Sequence, residues 1–465
     1  MRHTYKKQTN QHLLNRFILL ILLFILIPLL SALALSKLGD WKIYNTISFG
    51  DKILLPNVCM SEEKKQGVIY YQNSEFLKAI ERFNSSLKNE CRNDPESLIY
   101  KNNSEIEIGN RQSITIAVLV PISIGREPKK ALEMLRGFAK AQDDINKTNE
   151  INSLPLKIAI IDDADNPIKA QKIAQTISKN NFFLGAIGHW TSDVSLAAAS
   201  VYNFQKMPFI TSISTTNKLS ENDKDYTHQI NITNFNGAIA LAEYAKSQGK
   251  KKIAIFYTSR ATYSKEIRKK FNDEFGGGSN TEVVAEFDFT NRFEYKPKTN
   301  VQEAIDKMAD VILIVPDINL DTKAYEVMKA IKEKNSDILI LGDLANLYSK
   351  STLNEKNADG LVMALSWNQH INDISKNFFD DSRKLWKADV NYATAMSYDA
   401  VKAFSQAIAN LKRLEISREN VNKELNKDNF TFQGSTGARE VINKKIAFVM
   451  VKNGEFVYLY SKQIN

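Results

Sequence analysis

Histidine and cysteine, common carriers of nucleophilic and metal chemistry, are scarce here: five histidines and two cysteines among 465 residues. Only His189 stands near loops rich in hydrogen-bonding groups, and no acid and nucleophile are spaced to make a triad with it. No cysteine follows the N-terminal apolar run closely enough for lipid attachment. A dense basic arm is missing too. The net charge is +9, but Arg2, Lys6, Lys7 and Arg16 supply four of those charges before the first apolar run. Elsewhere Lys alternates with Glu and Asp, as on solvated helices, which argues against nucleic acid as a partner. Gly434-Ser435-Thr436-Gly437 lacks the lysine and the strand-to-helix setting of a phosphate loop, and reads instead as a hinge crossing. Asp162, Asp163 and Asp165, three acids in four residues at a strand end, fit Asx turns and helix caps better than a metal site. No cofactor is indicated.

What is present begins with residues 17–35, an uncharged run of Leu, Ile, Phe and Ala. About 19 residues at 1.5 Å each approach the roughly 30 Å thickness of a bilayer's hydrocarbon. Four basic residues precede the run, and mixed charges (Lys37, Asp40, Lys42) follow it, which keeps the N-terminus cytoplasmic and exports the rest. A cleaved signal peptide is the competing reading, since Ala32-Leu33-Ala34 makes an A-x-A site. Continuation of the run to Leu35 favours an uncleaved anchor. Export permits a bond between Cys59 and Cys91 but leaves two buried thiols equally open. The plan is a basic tail (1–16), a transmembrane anchor (17–36), a connector with a helical hairpin (37–112) and a two-lobed domain (113–465).

Within the connector, Gly67, Tyr70, Tyr71, Phe76, Ala79, Ile80, Phe83 and Leu87 recur at helical spacing. Asn73-Ser74 breaks the pattern, with Ser74 as a candidate N-cap. The separations of Gly67, Tyr70, Ala79 and Phe83 resemble a tetratricopeptide repeat whose closing proline, Pro95, comes late. One repeat cannot bury its own face, so the pair packs on the anchor region, the main domain or a partner. A plain amphipathic stalk is the alternative.

From Ser113 strands and helices alternate. Strands at 114–120, 156–161, 184–187 and 209–212 enclose helices at 129–146, 168–178 and 195–202. After Asn234 the rhythm restarts, with strands at 252–257, 283–289, 311–315 and 338–341. Residues 360–365 read as a strand crossing back to the first lobe, and 446–451 with 456–460 as a closing hairpin turned at Asn453-Gly454. The fold class is therefore α/β, with two doubly wound parallel-sheet lobes around a cleft. The first lobe takes about 113–233 and 366–433, and the second about 234–365 and 434–465. Three hinge crossings fall near Thr233-Asn234, Leu365-Ser366 and Gln433-Gly434.

Two strands of the first lobe run into hydroxyl-rich loops: Gly188-His189-Trp190-Thr191-Ser192, and Thr211-Ser212-Ile213-Ser214-Thr215-Thr216-Asn217. Adjacent strand ends of this kind offer donors and almost no charge, which suits holding a small polar molecule.

Further short motifs follow in order. They are Asp162-Asp163-Ala164 with Pro167, Gly188-His189, Thr216-Asn217 with Leu219, and Tyr398-Asp399-Ala400-Val401. The last are Phe432, Gly434, Thr436-Gly437 and Val451-Lys452-Asn453-Gly454. In this order, residues 114–460 resemble type I periplasmic solute-binding proteins, in the leucine/isoleucine/valine-binding branch of ABC importers. The resemblance implies that Ser192 and Thr216 hold a ligand carboxylate, and that the Ser214 carbonyl and Asp343 receive an ammonium. Tyr263 becomes the second lobe's aromatic contact. Donors at helix N-termini can satisfy a carboxylate without a cation. Trp190 and Asp193 depart from the pattern, as a wall of the side-chain pocket and as an acid suited to a second cationic group. Arg126 in the opening loop reaches the cleft or points to solvent. The implied role is delivery of an amino acid or related compound to an ABC permease by hinge closure. A ligand-sensing ectodomain coupled to a membrane signalling partner is the alternative, and an enzyme is poorly supported.

Overall fold

Between residues 62 and 108 lie three helices, not a hairpin of two, ahead of the first long strand. This computed structural model describes residues 43–109, 112–124, 129–220, 225–277, 280–334, 337–343, 345–440 and 444–464. The apolar run at 17–35 and Arg126 lie outside them. Among the described residues no helix is long and apolar enough to cross a membrane. The chain divides after Ile47 into two units. Of the first, residues 43–47 make a turn in which Thr46 donates to the Ile43 carbonyl.

In the second unit, α1 (Glu62–Gln72) starts at Ser61, whose hydroxyl accepts from Lys64 N. Ser74 does not cap α2 (Phe76–Lys88): it takes a left-handed φ of 59°, and Glu75 stands at the cap position. Gly67 of α1 faces the ring of Phe83 on α2. Pro95 opens α3 (Pro95–Ile108) rather than closing α2. Its missing N–H costs nothing at a first helical position, and the Asp94 carboxylate caps Glu96 N and Ser97 N. Cys59 and Cys91 are disulfide-bonded, with Cα atoms 5.6 Å apart.

This helical unit is not a free stalk. Asn103 of α3 donates to the Ile158 carbonyl at 2.8 Å and accepts from Ile158 N at 3.2 Å, treating that strand as a neighbouring strand would. Gln142 holds the Asn103 amide oxygen at 2.8 Å.

The first lobe is built on β1 (Ile114–Val120), buried along its whole length, as a strand covered on both faces must be. The helix α4 (Lys129–Thr148) follows it. Four more parallel strands join: β2 (Leu156–Asp162), β3 (Gly185–Gly188), β4 (Phe209–Thr211) and β5 (Thr227–Gln229), in the order β2-β1-β3-β4-β5. The helix α5 (Ser192–Phe204) lies between β3 and β4. The polar strand β5, Thr227-His228-Gln229, gives no apolar signal in sequence; His228 is satisfied by Asn422 Oδ1 at 2.8 Å.

The second lobe repeats the winding. Its parallel strands are β6 (Lys252–Tyr257), β7 (Glu282–Asp288), β8 (Val311–Val315), β9 (Leu339–Gly342) and β10 (Leu361–Leu365), ordered β7-β6-β8-β9-β10. The helix α6 (Thr262–Gly276) connects β6 to β7. Residues 361–365 therefore end the second sheet before the chain leaves it. Helix α7 (Tyr392–Ala409) packs back on α4 of the first lobe.

The expected hinge at Gln433-Gly434 is instead a small antiparallel ribbon, β11 (Thr431–Gly434) and β12 (Gly437–Glu440). Its turn is fixed on α7, where Asp399 accepts from Ser435 N at 2.6 Å and from Ser435 Oγ at 3.0 Å. The chain rejoins the second sheet as the hairpin β13 (Lys444–Lys452) and β14 (Glu455–Ile464). Asn453 and Gly454 turn it with φ of 52° and 77°, the positive pair a tight two-residue turn requires.

Candidate ligand-binding cleft

Each sheet reverses its winding beside its first strand, between β1 and β3 in one lobe and β6 and β8 in the other. Open α/β sheets leave a crevice at the carboxyl ends of such strands. At the first, Gly188 takes a φ of 139°, and a Cβ there would collide with the Leu119 carbonyl. His189 N then donates to that carbonyl at 3.0 Å. The imidazole turns inward, sharing a 2.7 Å hydrogen bond with Asp163 and lying 3.4 Å from the Tyr202 hydroxyl, so its role is structural. Asp162 gathers Ile122 N, Ser123 N, Ser123 Oγ and Lys169 Nζ, and Asp165 accepts from Thr191 Oγ1 at 2.8 Å. The three acids serve turns.

This arrangement sets Trp190 and Ser192, the first residue of α5, at the crevice; both are buried. Asp193 crosses to the other lobe. Its carboxylate accepts from Thr262 Oγ1 at 2.5 Å and Thr262 N at 3.2 Å, capping α6, whose own preceding residue Ala261 has no capping side chain.

The second hydroxyl loop is held from behind. Asn231 donates to the Ser212 and Ile213 carbonyls, and Gln229 to the Ser214 carbonyl at 2.9 Å. The Ser214 hydroxyl is buried without a hydrogen-bond partner among the described residues. Thr216 Oγ1 donates to Glu266 Oε1 at 2.7 Å, and Glu266 also receives Asn217 N at 3.2 Å and Asn234 Nδ2 at 2.7 Å. The carboxylate on Thr216 thus belongs to α6 of the second lobe.

From the second lobe, Asp343 directly follows β9 and is fully buried, accepting from Asn346 N at 2.9 Å and Leu347 N at 3.0 Å; burial pushes its pKa up to about 6. Tyr263, second in α6, packs on that lobe's own core. Lys130 of α4 reaches across, donating to the Ile318 carbonyl at 3.1 Å and Asn346 Oδ1 at 3.4 Å, with its ammonium 5.3 Å above the Trp190 ring. Burial lowers its pKa to about 8. Tyr392 lies 6.5 Å from Trp190 and 6.2 Å from Tyr348, and its buried hydroxyl has no partner among the described residues.

The structure therefore brings Trp190, Asp193, Thr216 and Asp343 to the inter-lobe face. The Ser214 carbonyl and the Thr216 hydroxyl, however, are already engaged by the chain itself. Lys130, Glu266, Asp317 and Tyr392 join the face without having been singled out by sequence. On helices, or on a loop in the case of Asp317, they look like any solvated or core residue, and only the pairing of lobes brings them to the cleft.

The profile of the periplasmic binding protein family matches residues 113–453. The chain belongs to that family. Its fold is shared by a leucine-binding protein of Thermotoga maritima, with 18% identity over 75% of this chain and 98% of that one, at a TM-score of 0.65. A branched-chain amino acid transporter substrate-binding protein of Streptococcus pneumoniae, in complex with isoleucine, is 18% identical over 76% of this chain and 100% of its own, also at 0.65. A solute-binding protein of Rhodopseudomonas palustris holding 3,4-dihydroxybenzoic acid is 18% identical, covering 76% and 98%, at 0.62. No curated protein matches the chain.

Proposed function

We propose that this chain is the extracytoplasmic solute-binding protein of an ABC-type importer, tethered by residues 17–36. It takes an amino acid or related small polar compound between its lobes. The observation that carries this reading is the set of bridges between the loops at the strand ends: Asp193 to Thr262, Thr216 to Glu266, and Lys130 to Ile318. Such contacts make a closed state favourable, and a ligand seated among them would favour it further. Binding, not bond-making, is the activity.

The test is calorimetry and thermal melting of the detergent-solubilised full chain against a panel of amino acids, amides and small carboxylates. A ligand at a hundredfold its Kd should stabilise the fold by about 2.7 kcal/mol. If nothing in the panel shifts the melting temperature, the solute-binding reading falls. Binding without loss of uptake in a deletion strain would replace the importer by a sensing ectodomain. N-terminal sequencing of the membrane fraction should begin at Met1; a start after Ala34 would overturn the anchor.

A further inference from the structure

Among the described residues, carboxylates outnumber cations along the cleft. Asp165 and Asp193 come from the first lobe, and Asp317, Asp321 and Asp343 from the second. None of the five lies within ion-pair distance of a cation among the described residues. Asp165, Asp193 and Asp343 are held by neutral donors. Lys130 is the cation that feels Asp343, Asp321, Asp165 and Asp317, yet its ammonium binds two neutral oxygens. Closing the lobes sets Asp317 against both Asp193 and Asp165, and each pair is mutually repelling. Asp343 is buried and the other four are half-buried; like charges drawn together out of water are costly unless an opposite charge joins them.

Two further observations point to what joins it. The Trp190 face already carries an ammonium, that of Lys130, and Tyr392 and Tyr348 extend this aromatic wall. Aromatic faces beside carboxylates are the usual surroundings of a bound organic cation. The fully buried Tyr392 hydroxyl, close enough to Asp343 to feel its charge, has no partner in the protein. It offers a hydrogen bond to a polar atom lying in the cleft.

We propose that the cleft selects a positively charged solute, an organic ammonium or guanidinium compound, and that Asp317 is the carboxylate that receives its charge. Asp317 follows β8 at the second lobe's own reversal of winding, and its N–H donates to Thr258 Oγ1 at 3.1 Å, which fixes the loop. Asp343 is less free to serve, because backbone N–H groups hold both its oxygens. The proposal rests on the solute-binding reading above.

The experiment is calorimetric titration of the full chain in detergent with 1,4-diaminobutane, arginine, leucine and glutamate, repeated on Asp317→Asn. The cations should bind at least tenfold more tightly than leucine or glutamate. Asp317→Asn should lose at least tenfold in cation affinity while raising the ligand-free melting temperature, because it removes a repulsion; a merely structural role would lower it. Tighter binding of leucine or glutamate would overturn the cation proposal and leave the solute-binding reading standing. Binding of none of the four, with none in the wider panel, would overturn both. Unchanged cation affinity in the variant would remove Asp317 from the site.

Discussion

Lys64 shows how a residue that reads as surface charge can be core. It sits in Glu62-Glu63-Lys64-Lys65, yet its ammonium is fully buried, 2.8 Å from Asp94 and 2.6 Å from Glu96. Burial disfavours the charge, but attraction from Asp94 and Glu96 outweighs it and the pKa is raised. The second negative charge is spread over other donors. Leu54 N, Leu55 N and the Tyr100 hydroxyl bind Glu96, and Ser97 Oγ binds Asp94. Lys64→Met would leave two carboxylates buried without a cation, and should cost about 3–5 kcal/mol in urea unfolding. Combining it with Asp94→Asn and Glu96→Gln should recover much of that loss. A single variant as stable as the parent would show that the triad is open to water.

At the scale of elements, the segment that carries α1 and α2 is closed by the Cys59–Cys91 bond, 32 residues apart in sequence. Reduction, or Cys59→Ser, should lower stability by about 2–4 kcal/mol. The loss should show first as proteolysis between residues 48 and 109, with the two lobes intact. The long buried strands were legible because Ile114–Val120 and Val311–Val315 are unbroken apolar runs. β5 was not, because its buried side chains are polar and paid for by hydrogen bonds. Pro95 was misread because proline marks the start of a helix as well as its end. The ribbon at Gln433-Gly434 depends on Asp399, more than thirty residues earlier. The site divides in the same way. Hydroxyl loops are contiguous and visible, whereas Glu266 and Lys130 acquire meaning only when one lobe meets the other.

For the molecule as a whole, closure buries charge, and closure should therefore depend on pH. Burial, with help from Asp163 and Asp317, pushes the Asp165 pKa up to about 7, and burial pushes Asp343 up to about 6. Both lie above the ordinary 3.8, so the stability they contribute is full below that value and is lost as pH rises through 6 and 7. Lys130, lowered by burial to about 8, loses its contribution as pH falls from 10.5 to 8 and changes little below that. His228, lowered by burial to about 4, loses stability only as pH falls from 6.5 towards 4. Between about pH 7.5 and about 6.5 the carboxylates therefore act alone. The melting temperature of the ligand-free chain should rise across that interval and go on rising below it, where His228 offsets only one of the two carboxylates. Asp165→Asn should flatten the rise. A melting temperature that falls over the same interval would mean that the free chain holds its lobes apart, with Asp165 in water.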